Sequence, residues 1–181
     1  FRKELARDTV QVNLADWVAM DDDITYTDLA AAMDRAWRAE VKSGRLSNDP
    51  RSVDMVTHST GALVVRNWMV HMFAGPEQVP IKRLLMLAPA NFGSSLAHKG
   101  RAFYGRIIKG WRRGFQTGTN ILKGLELGSP FTWVLAERDI LNTGQRWYGN
   151  DRVLATVLVG NTGYGGVRAA ATGDYEAWRP G

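Results

Sequence analysis

The sequence predicts an α/β domain: a mostly parallel sheet with helices on both faces and a helical insertion. Three observations lead to that class. Short apolar runs alternate with segments whose apolar residues recur every three to four positions, the order of βαβ units with right-handed crossovers. The run Leu84-Leu85-Met86-Leu87 is apolar without interruption, as a parallel strand covered on both faces requires. One further apolar strand passes through Thr57-His58-Ser59-Thr60-Gly61 directly into a helix. The 181 residues, 45% hydrophobic and 23% charged, have the profile of a globular domain, and a chain of this length buries roughly 70% of its unfolded surface.

Taken in chain order, Asp8 to Leu14 alternates Val10, Val12 and Leu14 with polar residues, which predicts a strand with one buried face. An acidic loop with Asp21, Asp22 and Asp23 follows. Thr25 and Thr27 are candidate N-caps for a helix carrying Leu29, Met33, Ala36, Trp37 and Val41, and Gly44 is its stop. Ser52 to Val56 is a short strand, and the helix after the Ser59 turn runs through Phe73 to Gly75-Pro76. Ile81 to Ala88 is the central strand. The fourth strand, Arg152 to Val159, comes only after a long excursion in which Ser129-Pro130 supplies an N-cap and first-turn proline for a helix to about Leu141. The division expected is therefore a core of residues 1–89 and 151–181, with residues 90–150 a helical cap or lid insertion. Gly160, Gly163, Gly165, Gly166 and Gly173 make the tail a loop; it has neither the Lys-Ser/Thr pair nor the following helix of a phosphate loop.

Composition narrows the chemistry. With no cysteine, disulfides, thiolate metal sites and a cysteine nucleophile are excluded. Lys and Arg number 23 against 18 Asp and Glu, a net charge of +5, and the excess is concentrated at Lys99, Arg101, Arg106, Lys109, Arg112, Arg113 and Lys123. No nucleic-acid-binding motif accompanies these residues, so that partner is not expected. Phe103, Tyr104, Ile107, Ile108, Trp111 and Phe115 recur between the basic residues at helical spacing. That pattern fits an amphipathic lid helix touching an anionic interface from Arg101 to Phe115, and equally a helix docked on the sheet with a solvated basic face. No apolar run approaches the roughly 18 to 20 residues of a membrane-spanning helix. The opening Phe1-Arg2-Lys3-Glu4-Leu5 has no initiator Met and no signal-peptide pattern, and both ends are expected to be cut from a longer chain.

The most informative string runs from Val53 to Arg66. A strand turning sharply into a helix through small-x-Ser-x-Gly lifts a serine hydroxyl above the carboxyl edge of the sheet. It also leaves the Thr60 N–H at the helix N-terminus, where backbone donors and the helix dipole stabilise an oxyanion. The alternative is that Ser59 only caps the following helix.

This His58-Ser59-Thr60-Gly61 turn resembles the nucleophile elbow of the α/β-hydrolase superfamily, in particular its lipase and esterase branch, as in lecithin:cholesterol-acyltransferase-like and triacylglycerol-lipase-like enzymes. Leu87-Ala88-Pro89-Ala90-Asn91-Phe92-Gly93-Ser94-Ser95-Leu96-Ala97 resembles the segment after the next strand in those lipases. Gly128-Ser129-Pro130-Phe131 resembles the start of a helix after their cap region. The similarity extends from about Asp8 to Gly160. It implies a serine hydrolase that cleaves carboxylic esters through an acyl-enzyme on Ser59, with Thr60 as oxyanion donor, an ester or lipid substrate, and no metal or cofactor. Acyltransferase or phospholipase activity on the same turn, or a non-catalytic hydrolase-like domain, are the alternatives. Two departures stand out. Thr57 replaces the usual first glycine and is expected to strain the turn. In the family's order of Ser, acid, His, no histidine follows the fourth strand: His58, His71 and His98 all precede it, and Asp174 and Glu176 are the only acidic candidates after it. The triad acid and base are thus expected outside these residues.

Overall fold

The computed structural model describes residues 9–18, 23–94, 97 and 119–159. Helix α1, Tyr26–Lys42, starts where the sequence predicts: Thr25 Oγ1 accepts from Asp28 N at 3.3 Å while Asp28 Oδ2 accepts from Thr25 N at 2.8 Å. This reciprocal pair satisfies donors that the first helical turn leaves open. Gly44, at φ +73°, follows the C-cap Ser43 and ends the helix. Leu29, Met33, Ala36 and Trp37 form its buried stripe.

Strand β1, Val53–His58, is followed by α2, Gly61–Met72, then β2, Ile81–Leu87. Two short helices, α3 (Thr119–Gly124) and α4 (Pro130–Asp139), precede β3, Leu154–Leu158. Ser129 caps α4 by accepting from Thr132 N at 3.3 Å, and Pro130 occupies its first turn. The strands pair in the order β1-β2-β3, both pairs parallel, with His58 opposite Leu87 and Leu87 opposite Leu158. The sheet is parallel and the class is α/β, as the apolar runs predict.

The core lies between the sheet and α1 and α2, which pack on each other. Trp37 and Trp68 meet at 5.2 Å between ring centroids, and Phe73 meets the Trp68 ring edge-on at 5.0 Å. Their ring nitrogens are satisfied: Trp37 Nε1 donates to Asn48 Oδ1 at 3.1 Å and Trp68 Nε1 to Asp34 Oδ1 at 3.2 Å. Helix α4 packs on α2, and Phe131 at its start stacks on Tyr26 at 4.2 Å. Helix packing among the described residues is on the Met55, Thr57, Leu84 and Met86 face; on the other, Val56, Leu154 and Leu158 are exposed. No helix among the described residues is long and apolar enough to cross a membrane.

One element differs from the sequence expectation. Residues 9–13 form no strand, and the chain then makes a 3-10 turn, Leu14–Asp16. Val12, Leu14 and Val18 instead pack beside the core, and Trp17 O accepts from Arg35 Nη2 at 3.0 Å. Period-two burial reports one buried face; a strand also needs a neighbour for its ladder.

Candidate active site

Ser59 and Thr60 alone connect β1 to α2. Ser59 has φ +52°, the left-handed region that costs a residue with a side chain roughly 1–2 kcal/mol. Main-chain bonds on both sides hold it there. Ser59 N donates to Leu87 O at 3.0 Å, and Ser59 O accepts from Ala62 N at 3.2 Å and from Ala90 N at 3.3 Å. The N-cap of α2 is Thr60, with no side-chain cap bond, and among the described residues the Ser59 hydroxyl has no hydrogen bond. The helix-capping alternative therefore does not account for this serine.

Thr57 sits under the turn, 9% exposed, and a Cβ on Gly61 would lie 3.7 Å from the Thr57 Cβ, an ordinary contact. Threonine in place of a glycine thus fits against residue 61 without a close contact. The cost is polar: Thr57 Oγ1 is buried with no partner.

The loop after β2 forms a wall beside the turn. Ala88, at φ +42°, donates its N–H to Leu158 O at 2.7 Å, and Ala90 is buried. Gly93 has φ +89°, and a Cβ there would fall 2.1 Å from Glu126 O, so only glycine lets the loop lie against residues 125–128. Ser94 N to Leu125 O at 2.8 Å and Gly128 N to Phe92 O at 2.8 Å complete that junction. Phe92 and Trp133 touch at 5.6 Å, both substantially exposed.

Sequence reasoning missed a buried ionic network behind this wall. Arg66 of α2 and Asp139 at the end of α4 are 1% and 0% exposed at their side chains. They pair through Nε to Oδ2 at 2.7 Å and Nη2 to Oδ1 at 2.9 Å. Arg66 Nη1 also donates to Asn91 O at 2.8 Å, and Tyr148 OH donates to Asp139 Oδ2 at 2.8 Å. Burial first, then the Asp139 carboxylate, hold the Tyr148 phenol well above its usual value. Burial pulls the Arg66 guanidinium down, but its bonds to Asp139 prevail and its value is raised. The signal was available: Arg66 and Asn67 interrupt an otherwise apolar helix from Ala62 to Met69 that is buried on every side.

His71 lies about 15 Å along α2 from Gly61 at 1.5 Å per residue, outside reach of Ser59. Its Nδ1 contacts Asn67 O at 2.9 Å and its Nε2 contacts Arg138 Nη1 at 2.9 Å. His58 is exposed at the end of β1, and no hydrogen bond joins it to Ser59. His98, Asp174, Glu176, the Arg101 to Phe115 segment and the glycine loop from Gly160 lie outside the described residues. Among the described residues, no group of three or more His, Asp or Glu is placed to hold a metal ion. Two concavities, of about 300 Å³ beside Trp17 and about 570 Å³ beside Tyr148, are both away from the Ser59 turn.

The parallel sheet with helices packed behind it is of the α/β class, and its likeness to solved phospholipase structures supports a lipase/esterase-like fold. Among solved structures, phospholipase PlaB from Legionella pneumophila is similar to this chain, with a TM-score of 0.61 at 36% identity over 80% of this chain and 30% of its own. The same phospholipase in complex with thio-NAD matches with a TM-score of 0.60 at 33% identity, covering 81% of this chain and 28% of that one. This chain thus spans less than a third of the phospholipase chains it resembles. No protein-family model and no curated protein matches the sequence.

Proposed function

We propose that this chain is the nucleophile-bearing part of a serine hydrolase of the α/β-hydrolase superfamily, cleaving carboxylic esters of lipids through an acyl-enzyme on Ser59. The observation that carries the reading is the Ser59 turn: left-handed backbone between a parallel strand and a helix, with the hydroxyl uncommitted to any cap. In the reaction, Oγ attacks the ester carbonyl while a histidine outside the described residues takes its proton. The Thr60 N–H, at the positive end of α2, donates to the oxyanion. The alcohol leaves with that proton, and water then releases the acid and regenerates Ser59. Similarity to PlaB favours a phospholipid among ester substrates. The basic and aromatic residues from Arg101 to Phe115 are the proposed contact with an anionic lipid interface.

The test is Ser59→Ala in the full-length protein. Ester hydrolysis and labelling by a fluorophosphonate are expected to vanish with the circular dichroism spectrum retained. Unchanged turnover would remove Ser59 from the mechanism. Failure of the unmutated protein to label would favour the non-catalytic domain instead. Release of free fatty acid, rather than its transfer to an added alcohol, separates hydrolase from acyltransferase.

A further inference from the structure

We infer that Arg66 is a positioning residue for the reaction at Ser59, acting through the loop that follows β2; this rests on the serine-hydrolase reading above. The guanidinium is 1% exposed and uses all three of its nitrogens. Two of them take Asp139, 73 residues away in sequence, and would suffice to neutralise a buried charge. The third reaches out of the ion pair to a main-chain carbonyl, that of Asn91, at 2.8 Å.

That carbonyl belongs to the residue next to Ala90, whose N–H donates to Ser59 O at 3.3 Å. A continuous path of hydrogen bonds and peptide units therefore runs from Asp139 through Arg66, Asn91 and Ala90 to the main chain of Ser59. At the other end of the loop, Ala88 N is held by Leu158 O at 2.7 Å. The loop is thus tied to β3 at one end and to the interior of α2 at the other, and the Ser59 turn closes between those ties. Left-handed backbone at a serine persists only while its surroundings over-determine it. Arg66 supplies the tie at Asn91, next to the residue that bonds Ser59, and releasing it lets residues 90 and 91 move away from Ser59. The hydroxyl and the Thr60 N–H then lose their fixed separation. Because Arg66 is about two helical turns from Ser59, it acts through this path rather than on the substrate.

Two variants of the full-length protein test this. Arg66→Met with Asp139→Leu removes the pair without leaving an orphaned buried charge, which buried ion pairs often tolerate. Arg66→Lys keeps the charge and loses the fork that serves Asp139 and Asn91 together. The readouts are the rate of fluorophosphonate labelling at Ser59, kcat and KM on a short-chain nitrophenyl ester, and the thermal midpoint. Labelling rate and kcat are expected to fall about 10- to 100-fold, with KM within about twofold, in each variant that retains its fold, since small misplacements of a nucleophile have effects of that order. Labelling and kcat equal to the unmutated protein in a folded variant would overturn the inference and leave Arg66 a structural residue. That outcome leaves the serine-hydrolase reading intact. Absence of labelling in the unmutated protein would sink both.

Discussion

At Ser59 the backbone adopts φ +52° although the residue carries a side chain, and the energy for this comes from its surroundings. Glycine visits that region without the penalty. Ser59→Gly is therefore expected to be more stable than Ser59→Ala by about 1 kcal/mol, measured by urea denaturation, while both lack activity. Thr57 offers a second test. Its hydroxyl is buried without a partner, so Thr57→Val, of nearly the same shape, is expected to raise stability by about 1 kcal/mol. A lower urea midpoint for that variant would mean that the hydroxyl is satisfied in solution. Both side chains belong to a motif readable from sequence, yet the sign of φ and the orphaned hydroxyl depend on what packs over the turn.

Among the elements, helix boundaries were the most legible because caps are local. Thr25 and Asp28 are three residues apart, and their reciprocal bonds need nothing from the rest of the molecule. Thr25→Ala is expected to lower stability by about 1 kcal/mol in thermal or urea melts. The Thr25 hydroxyl bond, foremost, holds the Asp28 carboxyl below its ordinary 3.8. A carboxyl depressed by folding contributes stability that is present above the unfolded value and lost as pH falls through the folded one. The part of the acid loss below pH 3.8 that comes from Asp28 should therefore be smaller in Thr25→Ala, which keeps only the main-chain bond from residue 25. Residues 9–14 show the opposite situation. Their alternation picks out Val12 and Leu14, which are half-buried against the core, but strand identity depends on a distant partner that alternation does not encode.

Across the whole molecule, the Arg66 and Asp139 pair joins α2 to α4 over 73 residues. Asp139→Ala leaves a guanidinium buried without its carboxylate and is expected to cost about 3–5 kcal/mol, read from the urea midpoint. The same network has an alkaline signature. Tyr148 is held well above its ordinary value of 10.0, so the folded protein keeps the phenol protonated where the unfolded chain ionises. A group raised by folding contributes stability that is complete below the unfolded value and lost as pH rises through the folded one. Stability should therefore decline above pH 10.0, and Tyr148→Phe should flatten that decline. An equal slope in the two proteins would place the alkaline sensitivity elsewhere.

By itself the sequence determined the α/β class, three of its expected strands, placed at Ser52 to Val56, Ile81 to Ala88 and Arg152 to Val159, the caps at Thr25 and Ser129, and Ser59 as the residue at the strand-to-helix turn. These follow from periodicity and from contacts within a few residues, which a linear string records. Only the tertiary structure decided that residues 9–13 form no strand, that Thr57 fits beneath Gly61, and that Arg66, Asn91, Asp139 and Tyr148 converge behind the Ser59 loop. Each of those depends on pairing between segments far apart in the chain, where a buried charge finds its partner by packing and not by spacing.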